Sequence, residues 1–102
     1  MQKYIDFRNE IDYKKLKEAA NLIKSGKLVI FPTETVYGIG TNGLDENAIK
    51  RLYEAKRRPL SKPINLLVSD IKMIERVTKN ISDMEYKLMK AFFPGPLTII
   101  LN

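Results

Sequence analysis

The chain has 102 residues, 44% of them hydrophobic and 29% charged, which is the composition of one small soluble domain. It contains no cysteine and no histidine. This excludes disulfides, thiolate metal sites and the side chain that most often serves as general base or zinc ligand. The net charge of +6 favours anionic partners such as nucleotides or RNA, although a generally basic surface explains it equally well. The sequence has no apolar run near the ~20 residues of a membrane span and no signal peptide, so we expect a cytoplasmic protein without a membrane partner.

The first part of the chain predicts a helix flanked by strands. Tyr4–Phe7 is compatible with a short strand. Apolar residues at helical spacing predict a helix over Asp12–Ser25, and Gly26 stands where a helix-ending residue belongs. Leu28–Phe31 is a continuous apolar run, which is typical of a strand covered on both faces. Val36–Thr41 is either a second strand or an extended segment.

The middle of the chain predicts a second helix and a buried strand. Asp45 is a suitable N-cap for a helix over Glu46–Arg57, and Pro59 stops that helix. The apolar run Ile64–Val68 then predicts a strand in the interior of the protein.

The last part predicts two further helices and a final strand. Asp70 can cap a short helix through Val77, and Ser82–Glu85 reads as a capping box that opens another helix. An apolar face of Met84, Leu88, Ala91 and Phe92 is expected on that helix, which the prolines at positions 94 and 96 end. Leu97–Leu101 predicts the last strand.

This alternation predicts an α/β fold, in which helices pack on a twisted mixed sheet. An apolar strand directly before Asn102 would leave an uncovered, aggregation-prone edge. We therefore expect residues 1–102 to be the first portion of a longer domain.

A basic segment lies at and beyond the end of the second predicted helix. It contains Lys56, Arg57, Arg58 and Lys62. Lys56 continues the apolar stripe of the helix, so it is expected on or beside the buried face, where a lysine must reach water or meet an anion. A cation at a helix C-terminus also has a simple electrostatic explanation in the helix dipole. An ammonium and a guanidinium fixed beside a proline suit a polyphosphate.

The segment FPTETVYGIGT, residues 31–41, carries hydroxyls at Thr33, Thr35 and Tyr37. These hydroxyls can hydrogen-bond a small polar ligand, and Gly38 and Gly40 can let such a ligand approach the backbone. The competing interpretation is an ordinary strand with a core tyrosine. The glutamate between the two threonines has no evident acid–base partner, so no catalytic residue is assigned.

Three segments in order make the sequence recognisable. Phe31–Gly40 contains Pro-Thr-Glu-Thr, Ala55–Pro59 contains the Lys-x-Arg spacing, and Phe93–Thr98 reads Phe-Pro-Gly-Pro-Leu-Thr. Together they closely resemble the fingerprint of the threonylcarbamoyl-AMP synthase family, the YrdC-like domain. The resemblance runs from about Asn21 to the last residue and implies the twisted α/β fold called YrdC-like or RibB-like.

The resemblance implies a nucleotidyltransferase that condenses L-threonine, bicarbonate and ATP into threonylcarbamoyl-AMP and pyrophosphate. That product serves the threonylcarbamoyl (t6A) modification of tRNA. By the same resemblance, Lys56 and Arg58 would bind ATP phosphates, and Thr33 would contact the substrate threonine with Thr35 and Tyr37 close by. It implies no protein metal site, because Mg²⁺ would arrive with the phosphates of ATP.

The sequence departs from the family in its length, in lacking a histidine over Ile64–Val68, and in one motif, and it leaves two alternatives. It lacks the SxN motif of the family's second half, so we expect an N-terminal part of a YrdC-like domain, whose bare edges self-association could cover. The first alternative is a double-stranded RNA- or tRNA-binding module without turnover. The second is a carbamoyl-adenylate domain like that of hydrogenase maturation proteins, which the absence of cysteine disfavours.

Overall fold

The computed structural model describes residues 4–101, which fall into two compact units, one running to Lys62 and the other starting at Pro63. Its elements are, in chain order, α1 (Tyr13–Lys24), β1 (Val29–Pro32), β2 (Tyr37–Gly40), α2 (Glu46–Lys56), α3 (Ile71–Val77) and α4 (Asp83–Phe92). Among the described residues, no helix combines the length and the apolar character needed to span a membrane.

Helix α1 forms as predicted, because both of its ends are capped locally. The side chain of Asp12 accepts hydrogen bonds from the backbone N–H groups of Lys14 and Lys15. At the other end, Gly26 has a left-handed backbone with φ of 83°. Its N–H donates to Ile23 O, and the next N–H donates to Leu22 O at 2.9 Å. These two bonds form a Schellman motif, in which glycine carries no steric cost.

Strands β1 and β2 pair antiparallel, which confirms both predicted strands in this region. Ile30 lies opposite Ile39 and Phe31 opposite Gly38. The expectation that β1 is covered on both faces is wrong, because the Ile30 side chain is 68% exposed. Only one face of the strand, that of Val29 and Phe31, is partly covered, and this is the usual condition of an antiparallel hairpin.

Helix α2 contributes the buried apolar side chains described in the first unit. Asp45 caps its start by accepting from the N–H groups at positions 47 and 48. Ala48 and Leu52 are buried. On the same helix, Arg51 donates from Nη2 to the carbonyl of Gly26 at 2.8 Å, so the end of α1 and the body of α2 are directly joined.

The second unit consists of α3, α4 and the extended chain around them. The predicted cap at Asp70 and the predicted capping box of Ser82 and Glu85 are both present. The buried side chains described here are Ile74 and Met89. The apolar face predicted for α4 is wrong, because Met84 is 65% exposed while Met89, one position beyond the predicted Leu88, is fully buried.

Three predicted strands are not formed within residues 4–101. In Tyr4–Phe7, the Asp6 carboxylate accepts from both the backbone and the guanidinium of Arg8, which makes a local turn. Ile64–Val68 and Leu97–Leu101 carry no ladder, and between them Asn65 Nδ2 lies 3.4 Å from Thr98 Oγ1. The α/β class is confirmed, with four helices and a two-stranded antiparallel sheet in the described residues.

Candidate functional site

The Pro-Thr-Glu-Thr segment forms the turn of the β-hairpin. Because Pro32 pairs with Tyr37, the connection is the four-residue loop 33–36. Within it, Thr33 Oγ1 accepts from the N–H of Thr35 at 3.3 Å and donates to the carbonyl of Val36 in a short hydrogen bond. The Thr33 hydroxyl therefore holds the loop in shape, which is the ordinary use of threonine in tight turns.

The other two predicted threonine-binding residues are open to solvent. Thr35 Oγ1 lies 3.5 Å from Thr33 Oγ1, so the two hydroxyls stand side by side on the loop. Tyr37 is 74% exposed, and the suggestion that it is a core residue is wrong. The loop thus presents Thr35 and Tyr37 outward, while Thr33 fixes their position.

Gly38 and Gly40 do not open the backbone to a ligand on the face where a side chain would project. A Cβ atom at Gly40 would lie 3.0 Å from Phe31 Cε1, and one at Gly38 would lie 3.4 Å from Phe31 Cε2. The ring of Phe31 therefore fills the space above both glycines. This corrects the expectation from the sequence, because the glycines make room for an aromatic ring of the neighbouring strand.

The basic segment begins where α2 ends, and that end is again a Schellman motif. The N–H of Arg57 donates to Glu54 O at 3.1 Å, and the N–H of Arg58 donates to Tyr53 O at 3.0 Å. Arg57 has φ of 51°, and it is the non-glycine residue with positive φ among those described. An L-residue in this left-handed conformation costs about 1–2 kcal/mol.

A shallow cavity of about 270 Å³ lies beside this helix end. Its lining comprises Lys50, Tyr53, Glu54, Arg57, Arg58 and Leu60. Arg58 is half-buried and belongs to the lining; Lys56 is exposed and does not. Lys56 thus reaches water, one of the two outcomes expected for a lysine on or beside the buried face, and the structure does not bring it into the cavity that Arg58 lines.

One wall of this cavity is fixed by backbone contacts. The phenol of Tyr53 donates to the carbonyl of Lys62 at 2.5 Å, and the N–H of Lys62 donates to Pro59 O at 3.0 Å. The turn that carries Leu60 is consequently tied back to α2.

Of the lining residues, Arg58 alone received a binding role from the sequence, and Lys50 and Tyr53 are among those that did not. The sequence did contain a signal, because positions 50, 53, 54 and 57 follow the spacing of one helix face. Among residues 4–101 no group of three or more His, Cys, Asp or Glu side chains could hold a metal ion.

The chain matches one protein-family model and several known proteins. The Sua5/YciO/YrdC family model, described as telomere recombination, matches residues 21–102. The chain is 47% identical over 97 residues to threonylcarbamoyl-AMP synthase of Pyrococcus abyssi, covering 95% of this chain and 28% of the relative. It is 39% identical over 100 residues to the Bacillus subtilis protein of the same name, covering 96% of this chain and 29% of that protein.

Solved structures give the same result. A doubly substituted P. abyssi Sua5 matches with a TM-score of 0.85 at 46% identity, covering 89% of this chain and 28% of the other. P. abyssi Sua5 complexed with L-threonine matches with a TM-score of 0.79 at 46% identity, covering 84% of this chain and 25% of the other. The chain therefore spans less than a third of the length of these proteins.

Proposed function

This chain belongs to the Sua5/YciO/YrdC family, and from that premise we propose that it carries part of the substrate site of a threonylcarbamoyl-AMP synthase. Its substrates would be L-threonine, bicarbonate and ATP, and its products threonylcarbamoyl-AMP and pyrophosphate. In this proposal the product serves the t6A modification of tRNA in the cytoplasm. The proposal is supported by relatives of that name and by a structural neighbour that was solved with L-threonine.

One observation in this chain carries the proposal: a hydroxyl-bearing loop and a cationic helix end occur in the same compact unit. Thr35 and Tyr37 are exposed on the loop, where they can donate to the carboxylate or hydroxyl of an amino acid. Lys56 and Arg58 stand at and beyond the end of α2, where their charges can meet phosphate oxygens.

The reaction needs alignment more than it needs a nucleophile on the protein. The threonine amine forms a bond to the carbon of bicarbonate with loss of water. A carboxylate oxygen of the resulting carbamate bonds to the α-phosphorus of ATP, with loss of pyrophosphate. Both steps gain from reactants held in line and from cations that stabilise charge on the phosphates. Mg²⁺ would enter with ATP, held by its phosphates and by water.

Calorimetry tests this proposal with a matched pair of double variants. Lys56→Ala/Arg58→Ala removes the cations that end α2, and Lys24→Ala/Lys27→Ala removes the cations of the corresponding end of α1. We expect Mg-ATP binding to weaken about tenfold or more in the first variant and to change little in the second. If Mg-ATP binding weakened equally in both variants, the change in net charge alone would explain the loss. That result would count against a nucleotide site at the end of α2.

Binding of double-stranded RNA is the second candidate, favoured by the net charge of +6. The salt dependence separates the two candidates. Contacts to an RNA backbone weaken steeply as salt rises, because condensed counterions are released on binding. L-Threonine is a zwitterion without net charge, so its binding should be much less sensitive.

A further inference from the structure

Two strand-like segments of the second unit, residues 64–68 and 97–101, leave most of their backbone groups without a protein partner. In the described part of the chain, they make one backbone hydrogen bond, from the N–H of Leu97 to the carbonyl of Gly95 at 2.9 Å. Unpaired N–H and C=O groups on a strand-like segment are a template for pairing with another strand.

The same two segments border a cavity of about 530 Å³ in the second unit. Apolar side chains of neighbouring elements, among them Ile74, Val77 and Phe93, complete the lining. Leu97, Thr98, Ile99 and Leu101 belong to the lining, and the residue between the last two, Ile100, does not and is 91% exposed. The last segment therefore offers a partner both an apolar cavity and an apolar side chain in solvent.

The amount of exposed surface is large enough for a stable interface. The chain exposes 9150 Å², whereas a folded monomer of 11.8 kDa exposes about 5,900 Å². Two separately folded units of the lengths found here would together expose about 7,100 Å², so the excess does not depend on how the units are arranged. About 2,000 Å² per copy remains, and a standard interface buries ~1,200–2,000 Å² in total.

Much of the exposed apolar surface lies in the second unit. Nine of its large apolar residues are exposed, and its buried side chains among the described residues are Ile74 and Met89. The exposed residues include members of both strand-like segments: Ile64, Leu66, Leu67, Leu97 and Ile100.

Charge identifies a second copy of the chain as the occupant. The net charge of +6 makes two copies repel each other over most approaches. Residues 63–69 and 91–101 contain no charged side chain, so two copies can meet at these segments without opposing like charges. A two-fold axis at Ile99 would place Leu97 of one copy opposite Leu101 of the other, which uses the same surface on both copies.

We propose that the second unit carries a self-association surface, on which residues 97–101 of two copies pair as antiparallel strands. The pairing provides the missing backbone hydrogen bonds, and apolar side chains beside the cavity are buried between the copies. This inference goes beyond the proposed function and does not rest on it.

Sedimentation velocity of the full chain across a wide concentration range tests the proposal, and we expect a reversible dimer. Ile100→Lys changes an exposed side chain, so the fold should persist. In the paired strands it places two lysines near each other across the axis, and the dimer dissociation constant should rise at least about tenfold. Ile30→Lys adds the same charge at an apolar strand residue of the first unit, 68% exposed, and should dimerise like the wild type.

The register is tested by nuclear Overhauser contacts between the side chains of Leu97 and Leu101. These residues are about 13 Å apart along one strand, so a contact between them arises only between copies. We expect this contact in the wild type at concentrations that favour the dimer and its loss in Ile100→Lys.

Four outcomes would overturn the proposal. The first is a folded wild type that stays monomeric at every concentration, including one that binds an unlike strand-forming peptide instead. The second is equal weakening of the dimer by Ile30→Lys. The third is a dimer without the contact between Leu97 and Leu101, which would place the interface elsewhere. The fourth is a continuous series of larger species, which would indicate open-ended strand addition.

Discussion

The C-termini of α1 and α2 are built alike and differ at one residue. Each ends in a Schellman motif with the same pair of backbone hydrogen bonds, from the left-handed residue and from the residue after it. In α1 the left-handed residue is Gly26, and in α2 it is Arg57. Because the backbone geometry is shared, the difference isolates what the side chain does.

The same capping motif can be built on glycine or on a residue with a charged side chain. Gly26 serves the fold: its carbonyl accepts from Arg51, and its missing side chain leaves room for Arg51 and Asp45. Arg57 takes the same position with a side chain, at a steric cost, and it is one of the residues that line the cavity beside α2. One end is therefore unstrained, and the other combines backbone strain with a cation.

The largest effect is expected from Gly26→Ala. A Cβ at this position would lie 2.9 Å from both Arg51 Nη2 and Asp45 Oδ2, and φ is 83°. Both neighbours are held, one by the Gly26 carbonyl and the other by its role as N-cap. We expect the free energy of unfolding in urea to fall by about 2 kcal/mol. Gly43→Ala, at a glycine without positive φ, is the control, and an equal loss there would contradict this explanation.

A smaller effect of opposite sign is expected from Arg57→Gly. Relief of the left-handed strain outweighs the added freedom of glycine in the unfolded chain, so stability should rise by about 0.5–1 kcal/mol. Arg57→Ala removes the same charge but keeps a side chain at φ of 51°, so it should gain little. If both variants were stabilised equally, relief of charge repulsion would be the cause. The strain attributed to the left-handed backbone of residue 57 would then be contradicted.

The smallest effect is expected at the start of α4, where two side chains form a capping box. The Glu85 carboxylate accepts the backbone N–H of Ser82 at 2.8 Å, and this bond lowers the pKa of Glu85 below its ordinary value of 4.5. Because the fold favours the ionised carboxylate, Glu85 stabilises the folded chain at any pH above its pKa in the unfolded chain. This contribution is lost as the pH falls through the lower pKa that Glu85 has in the folded chain.

Denaturation of wild type and Glu85→Gln across acidic pH checks this effect. At neutral pH the free energy of unfolding should be slightly larger for the wild type than for Glu85→Gln. This difference should shrink as the pH falls below 4.5. A gap that stays constant down to strongly acidic conditions would show that the capping box contributes through something other than ionisation.

The sequence allowed the helices to be predicted well, because their signals are local. Asp45, Asp70 and Ser82 each cap the helix for which they were proposed, and Asp12, the first residue of the first predicted helix, caps α1. An N-cap acts within three residues, so its partner lies in the same stretch of sequence. The hairpin strands were predicted for a similar reason, since their partners are joined by a four-residue loop.

The predictions that failed depend on partners distant in sequence. Ile64–Val68 and Leu97–Leu101 have strand-like sequences but no ladder in the described chain, and Ile100 is 91% exposed. A strand forms when it pairs with and packs against other segments, and the composition of the strand itself does not identify those segments. The pairing of Lys56 with Arg58 at a phosphate stays a prediction; the cavity beside the end of α2 is lined by Arg58 with Lys50 and Arg57.

The contact between Phe31 and the two glycines of β2 gives the hairpin a magnetic signature. The α-hydrogens of Gly38 and Gly40 that replace a side chain point at the aromatic ring, so its ring current displaces their resonances from the positions of an unstructured chain. Glycine has two α-hydrogens. At each of these positions, the chemical shift of the hydrogen that points away from the ring serves as a reference for the one that points toward it. The state of the threonine-bearing loop can therefore be followed during titration with a ligand, through residues that contribute no functional group to its binding.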